Sequence, residues 1–133
     1  MSSGDESLVP LPAPFVDARG VIQTIVRDKK ISTVQLITSK AGSIRANHYH
    51  KTDWHYMYVV SGTMTYFYRP VGSQGTPSSI LVQAGQLVYT PSLIEHAVEY
   101  HEDSVFINIA GGPRDQTAYE NDLVRVELIK PKG

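Results

Sequence analysis

The chain contains no cysteine, which excludes disulfide staples, thiolate nucleophiles and cysteine-ligated zinc. Any metal must therefore be held by nitrogen and oxygen. Charge of either sign is not in excess: 12 Lys and Arg stand against 13 Asp and Glu, a net charge of -1. Such a balance gives no electrostatic case for nucleic acid, and no run of basic residues points to an anionic membrane surface. There is no apolar run long enough to span a bilayer, and the N-terminus lacks the basic start and apolar core of a secretory signal. These absences leave a soluble cytoplasmic protein with a small-molecule partner as the expectation. Its 133 residues, 41% hydrophobic, suffice for one domain with a real core.

No segment carries a helical period over three turns. Short stretches rich in β-branched and aromatic residues recur instead, at 21–27, 31–38, 44–50, 55–60, 63–69, 80–83, 86–90, 96–100, 104–110 and 123–129. Glycines and prolines punctuate them, from Gly42 and Gly62 to Gly111, Gly112 and Pro113. Regularly spaced strands of this kind argue for an all-β sandwich or barrel spanning residues 15–133. Residues 1–14, with Pro10, Pro12 and Pro14, read as an extended, loosely ordered arm. A barrel of this size buries an exposed face or edge against a twin, so a homodimer is the expected assembly.

Within 42–62 the chain places three of its five histidines, His48, His50 and His55, in eight residues. Imidazole is the side chain best suited to metal ligation or proton transfer near neutral pH. Strand alternation puts His48 and His50 on one face with Ile44 and Ala46, and turns Arg45, Asn47 and Tyr49 the other way. On the next strand His55, Met57 and Val59 share a face. Inward histidines need partners for their ring nitrogens, and a bound metal is one way to supply them.

Gly42, His48, His50, His55 and Gly62, followed by Gly85, Pro91 and His96, fall at the spacings of the two motifs of the cupins, and the chain resembles that family. In the first motif His55 stands where cupins commonly carry glutamate. In the second, Leu93 and Tyr100 occupy positions where glycine and asparagine are frequent. The resemblance implies a single-domain cupin-type jelly-roll β-barrel with one divalent transition metal (Fe, Ni, Zn, Mn or Cu) on His48, His50, His55 and His96. Four imidazoles would leave such an ion with charge near +2 and favour an anionic substrate.

A narrower resemblance rests on Asp17-Ala18-Arg19-Gly20, Arg45-Ala46-Asn47-His48-Tyr49-His50 and Tyr119-Glu120-Asn121-Asp122. These runs are similar to cupins of nucleotide-sugar and polysaccharide biosynthesis, the sugar ketoisomerases and epimerases, although Ala46 replaces a glycine. In the ketoisomerases the equivalent histidines carry protons without an obligatory metal. The resemblance thus implies an isomerase or epimerase of a sugar or sugar acid, with His48, His50 and Tyr66 as catalytic candidates. Arg45, Trp54 and Tyr68 are candidates for holding substrate. An Fe(II)-dependent dioxygenase and a non-catalytic metal- or sugar-binding module use the same histidines and remain open. Asp53 reads as a solvated turn residue, Glu95 as exterior, and His101, beside Glu102 and Asp103, as part of a surface hairpin.

Overall fold

Alternating β-branched and aromatic side chains bury one face of each strand, and the glycine and proline breaks fold the strands back on one another. The computed structural model describes residues 7–130. It contains β1 (Phe15–Asp17), β2 (Gly20–Ile22), β3 (Thr33–Ser39), β4 (Ile44–His50), β5 (His55–Ser61), β6 (Thr63–Pro70), β7 (Ser78–Gln83), β8 (Leu87–Thr90), β9 (Ile94–Tyr100), β10 (Ser104–Ala110), α1 (Gln116–Asp122) and β11 (Leu123–Arg125). A four-stranded sheet, β3-β10-β5-β8, faces a five-stranded sheet, β11-β4-β9-β6-β7, with every pairing antiparallel. This is the expected all-β jelly roll.

Between the sheets, Met57, Val59 and Phe106 from one side pack on Met64, Val98 and Tyr100 from the other. Burying such side chains stabilises the barrel by about 1.5–3 kcal/mol each. The tight β5–β6 connection passes through Gly62 at φ +96°, and a Cβ there would collide with Ser104. Only glycine meets both demands.

β4 departs from plain alternation. Ala46 and Asn47 have φ of 73° and 54°, and the register with β9 slips between Ala46 and His48. The extra residue is a β-bulge, which resets parity. Arg45 therefore pairs with Val98 and His48 with His96, and Arg45 borders the same cavity as these inward residues. The alternation that turned Arg45 away from the histidines is corrected by this bulge.

Asn47 also explains why the last strand ends at Arg125 rather than running to 129. Its Oδ1 accepts from the N–H groups of Leu128 and Ile129, at 3.0 and 3.1 Å, and its Nδ2 donates to the Ile129 carbonyl at 3.1 Å. The tail is held by a side chain in place of a ladder. Similarly, β2 stops at Ile22, well short of the predicted 27. The helix α1 was not expected; at seven residues, with Asp115 as N-cap accepting from the Ala118 N–H, it is too short to show a period. Of the predicted arm, residues 1–6 lie outside the described residues. Leu8 bridges Val88 and the Val9 N–H donates to the Leu87 carbonyl at 2.9 Å, so this part of the arm docks on β8 of its own chain.

Candidate functional site

The histidines meet at one mouth of the barrel. β4 ends there with His48 and His50, β5 begins there with His55, and β9 brings His96 opposite His48. Ala110, the last residue of β10, pairs with His55, so the chain leaving β10 and entering α1 crosses the same mouth. Ring centroids lie 4.9 Å apart for His48 and His50, 4.8 Å for His48 and His96, and 5.3 Å for His55 and His96. All four rings border a cavity of about 330 Å³, together with Arg114 and Tyr119.

Two of the rings have an assigned tautomer. His50 Nδ1–H donates to Asp122 Oδ2 at 3.1 Å, and His96 Nδ1–H donates to the Ile94 carbonyl at 3.0 Å. Each bond leaves an Nε2 lone pair uncommitted. The His50 Nε2 and the His55 Nδ1 are buried and have no hydrogen-bond partner among the described residues. Asp122 is itself fixed: Oδ1 accepts from the Thr52 N–H at 2.9 Å and hydroxyl at 2.7 Å, and Oδ2 from the Asp53 N–H at 3.2 Å. Burial pushes its carboxyl up, but these donors outweigh it and hold it below the ordinary value.

Burial is also the main reason that the four imidazoles are neutral. It lowers His48 to about 2, helped by His96 and His50, and His96 to about 4 against the opposing Ile94 bond. It lowers His50, where the Arg114 charge adds to the effect and Asp122 resists it. His55 lies well below the ordinary value through burial and then the neighbouring His96. The Tyr119 phenol is pushed up by burial; its ring lies 6.1 Å from both His48 and His50.

One nitrogen each from His48, His50 and His96 can be chosen so that all lie within 4.8 Å of one another. Three neutral imidazoles, one with an orphaned Nε2 and an Asp behind it, form a donor set that suits a divalent transition metal. The residues present thus fit such an ion. His55 falls outside that three-nitrogen group and stands beside it.

A family model for the polysaccharide biosynthesis C-terminal domain matches residues 15–109. The chain belongs to this family. It is a cupin related to sugar biosynthesis, as its motifs implied. Among solved structures, this cupin is 25% identical to the capsular polysaccharide assembling protein CapF from Staphylococcus aureus, with a TM-score of 0.65 over 88% of this chain and 34% of that one. It spans about a third of CapF's length. It is 19% identical to the sugar 3,4-ketoisomerase QdtA from Thermoanaerobacterium thermosaccharolyticum, solved in complex with TDP, with a TM-score of 0.69 over 89% and 85% of the two chains. The dTDP-4-dehydrorhamnose 3,5-epimerase from Sulfolobus tokodaii has a TM-score of 0.70 at 16% identity over 90% and 77%. No curated protein gives a significant sequence match.

The cupin barrel brings His48, His50, His55, His96 and Arg45 to one cavity and leaves the other candidates elsewhere. The Tyr66 hydroxyl is spent on Thr90 Oγ1 at 2.7 Å, and burial pushes its pKa up. Its ring stacks 6.3 Å from His96, but it does not line the histidine cavity, so the geometry lends its candidacy as a proton carrier no support. Tyr66 and Tyr68 stack at 5.4 Å and border a separate cavity of about 410 Å³ with Tyr89. Trp54 packs on Gly111, where a Cβ would collide with the indole, and borders a third pocket instead of the histidine cavity. Asp53 is not a solvated turn residue: it is buried and paired with Arg114 at 2.9 Å. Glu95 is buried too, paired with Arg69 at 2.8 Å on the side away from the cavity. His101 is exposed, with Nε2 2.6 Å from Thr65 Oγ1.

Three residues that the fold brings to the histidine cluster were not singled out from the sequence. Tyr119 and Asp122 belonged to a quoted run but had no role assigned. Arg114 follows a Gly-Gly-Pro turn that carries no chemical signal.

Proposed function

We propose that this domain is an isomerase or epimerase of a sugar, shifting a proton at a carbon beside a carbonyl. The observation that carries this reading is the His50–Asp122 pair at the edge of a cavity lined by neutral imidazoles. His50, held as free base by burial, takes the proton on Nε2, and Asp122 stabilises the imidazolium through Nδ1–H. The electron pair left on carbon delocalises onto the carbonyl oxygen as an enolate. Reprotonation of that carbon by a donor on the opposite face inverts the centre; where that carbon carries a hydroxyl, passage of its O–H proton to the enolate oxygen and return of the carbon-bound proton by His50 to the former carbonyl carbon move the carbonyl by one position. The Tyr119 phenol, kept protonated by burial, is the hydrogen-bond donor for the enolate oxygen. The structural likeness to a sugar 3,4-ketoisomerase and a 3,5-epimerase supports the substrate class, a nucleotide-linked keto sugar.

A second reading is favoured by the clustering of three imidazole nitrogens. In it His48, His50 and His96 hold a divalent ion, with His55 beside them. Bound there, such an ion would supply Lewis-acid polarisation of a carbonyl oxygen, and His50 would be a ligand held in position by Asp122. Incubation of the protein with TDP-4-keto-6-deoxyglucose in deuterated water, before and after chelation, tests both readings. Deuterium incorporation that survives chelation and is lost in His50→Asn supports proton carriage by His50. Incorporation abolished by the chelator and restored by one added metal supports the ion. No incorporation in either state refutes the isomerase reading with this substrate.

We further propose a cytoplasmic homodimer. The β1–β2 hairpin is a two-stranded sheet of its own, with Phe15, Val16, Val21 and Ile22 exposed by 59% to 65%. A lone hairpin is marginal in water. The edge strand β3, with exposed Val34 and Leu36, is the surface a twin would cover. Light scattering should give twice the chain mass, and Val16→Asp should return it to one; a monomeric parent refutes the assembly.

A further inference from the structure

The charge around the histidine cavity is one-sided. Arg45 and Arg114 border it, together with the neutral histidines, and no Asp or Glu among the described residues does. Arg45 sits at the rim and is partly occupied, Nε with Ser39 Oγ at 2.7 Å and Nη2 with the Thr38 carbonyl at 2.9 Å. Arg114 is deeper: its side chain is 8% exposed. The guanidinium lies 5.7 Å from the centroid of the Tyr119 ring, and its charge opposes protonation of His48, His50, His55 and His96 alike.

Asp53 does not cancel this charge toward the cavity. Besides the Arg114 Nε at 2.9 Å, its oxygens accept from the Trp54 N–H at 2.7 Å and the Gly112 N–H at 2.8 Å. It is an anchor that fixes the arginine from behind. The fork's Nη2 is buried with no hydrogen-bond partner among the described residues. A buried guanidinium donor without an acceptor is costly unless a ligand supplies one. The fork geometry matches the paired oxygens of a carboxylate or phosphate.

We propose that Arg114 binds an anionic oxygen of the substrate, from a carboxylate or a phosphate, and thereby selects charged over neutral sugars. The proposal deepens the isomerase reading and rests on the histidine cavity being the substrate site. The oxygen comes either from a sugar-acid carboxylate on the ring or from the diphosphate of a nucleotide-linked sugar. Asp53 is the positioning residue that presents the guanidinium.

Calorimetric titration with D-glucuronate, thymidine diphosphate and D-glucose, at two salt concentrations, separates the sources and needs no turnover. The expected result is that at least one anion binds ten-fold or more tighter than glucose. Arg114→Gln should erase that preference without weakening glucose. Loss confined to glucuronate assigns the carboxylate, and loss confined to thymidine diphosphate assigns the phosphate. Because Arg114→Gln leaves Asp53 buried without its partner, Asp53→Asn/Arg114→Gln provides a second, charge-free variant, expected to show the same loss with a native thermal transition. An unchanged anion preference in the folded double variant overturns the proposal, as does a parent that binds anions no better than glucose. Deuterium exchange by His50 stands or falls independently of these affinities, so failure of the two readings can be told apart.

Discussion

Acidification should unfold this domain at a pH where ordinary surface carboxylates are still ionised. His48 and His96, neutral by burial with pKa values of about 2 and about 4, titrate near 6.5 once unfolded. Because the folded values lie below the unfolded one, the unfolded chain binds more protons below pH 6.5, and stability falls as pH drops toward the folded values. At about 1.4 kcal/mol per proton per pH unit, the two residues together remove roughly 3 kcal/mol between pH 6.5 and 5. His50 and His55 act in the same direction. The loss is a large share of the ~5–15 kcal/mol that keeps a domain folded. With chelated protein, urea titrations read by the single tryptophan, Trp54, should show the midpoint falling by about 1.5 M or more over that interval, for an m-value near ~2 kcal/mol/M. A midpoint that stays constant from pH 6.5 to 5 would refute the claim that the cluster is buried and neutral.

Asp122→Asn removes the acceptor that fixes the His50 tautomer; kcat should fall by about 10²-fold or more with little change in KM, measured by substrate isomerisation. Gly111→Ala drives a methyl into the Trp54 indole; thermal unfolding should show a loss of about 1–3 kcal/mol, and no change would mean that the loop shifts freely. Asn47→Ala deletes three hydrogen bonds to residues 128 and 129 and puts alanine in a left-handed position; a cost of ~2–3 kcal/mol is expected, with faster amide exchange confined to the tail. Titrated with a divalent transition metal, His55→Glu should bind as many equivalents as the parent, since His55 lies outside the three-nitrogen group; loss of binding that the parent shows would make it an obligatory ligand.

The barrel was legible because its strands announce themselves through β-branched runs between glycines, and 104–110 emerges with its expected bounds. The imidazole cluster was legible from spacing, since both blocks carry their own histidines. What was hidden depends on partners distant in sequence or on backbone conformation. The bulge has φ > 0 at Ala46 and Asn47 with no glycine to mark it, so alternation misplaced Arg45. Asp53 looks like any turn aspartate until Arg114, 61 residues on, is folded against it. Tyr66 sits among barrel aromatics, and only the fold shows its hydroxyl bonded to Thr90 and its side chain outside the lining of the histidine cavity.

Every imidazole of the cluster lies inside the span matched by the family model, which ends at residue 109. Asp122, which fixes the His50 tautomer, Arg114, whose charge acts on all four rings, and Tyr119, whose ring lies 6.1 Å from His48 and His50, all come after it. The mouth of the barrel is thus completed by a segment beyond the matched span. That segment is joined to the barrel by the β11–β4 ladder and by a few polar pegs, Asp53 to Arg114, Asp122 to Thr52 and His50, and Asn47 to the tail. Exchange of the stretch after β10 between related barrels, with the matching pegs, is a route to new selectivity on an unchanged imidazole set.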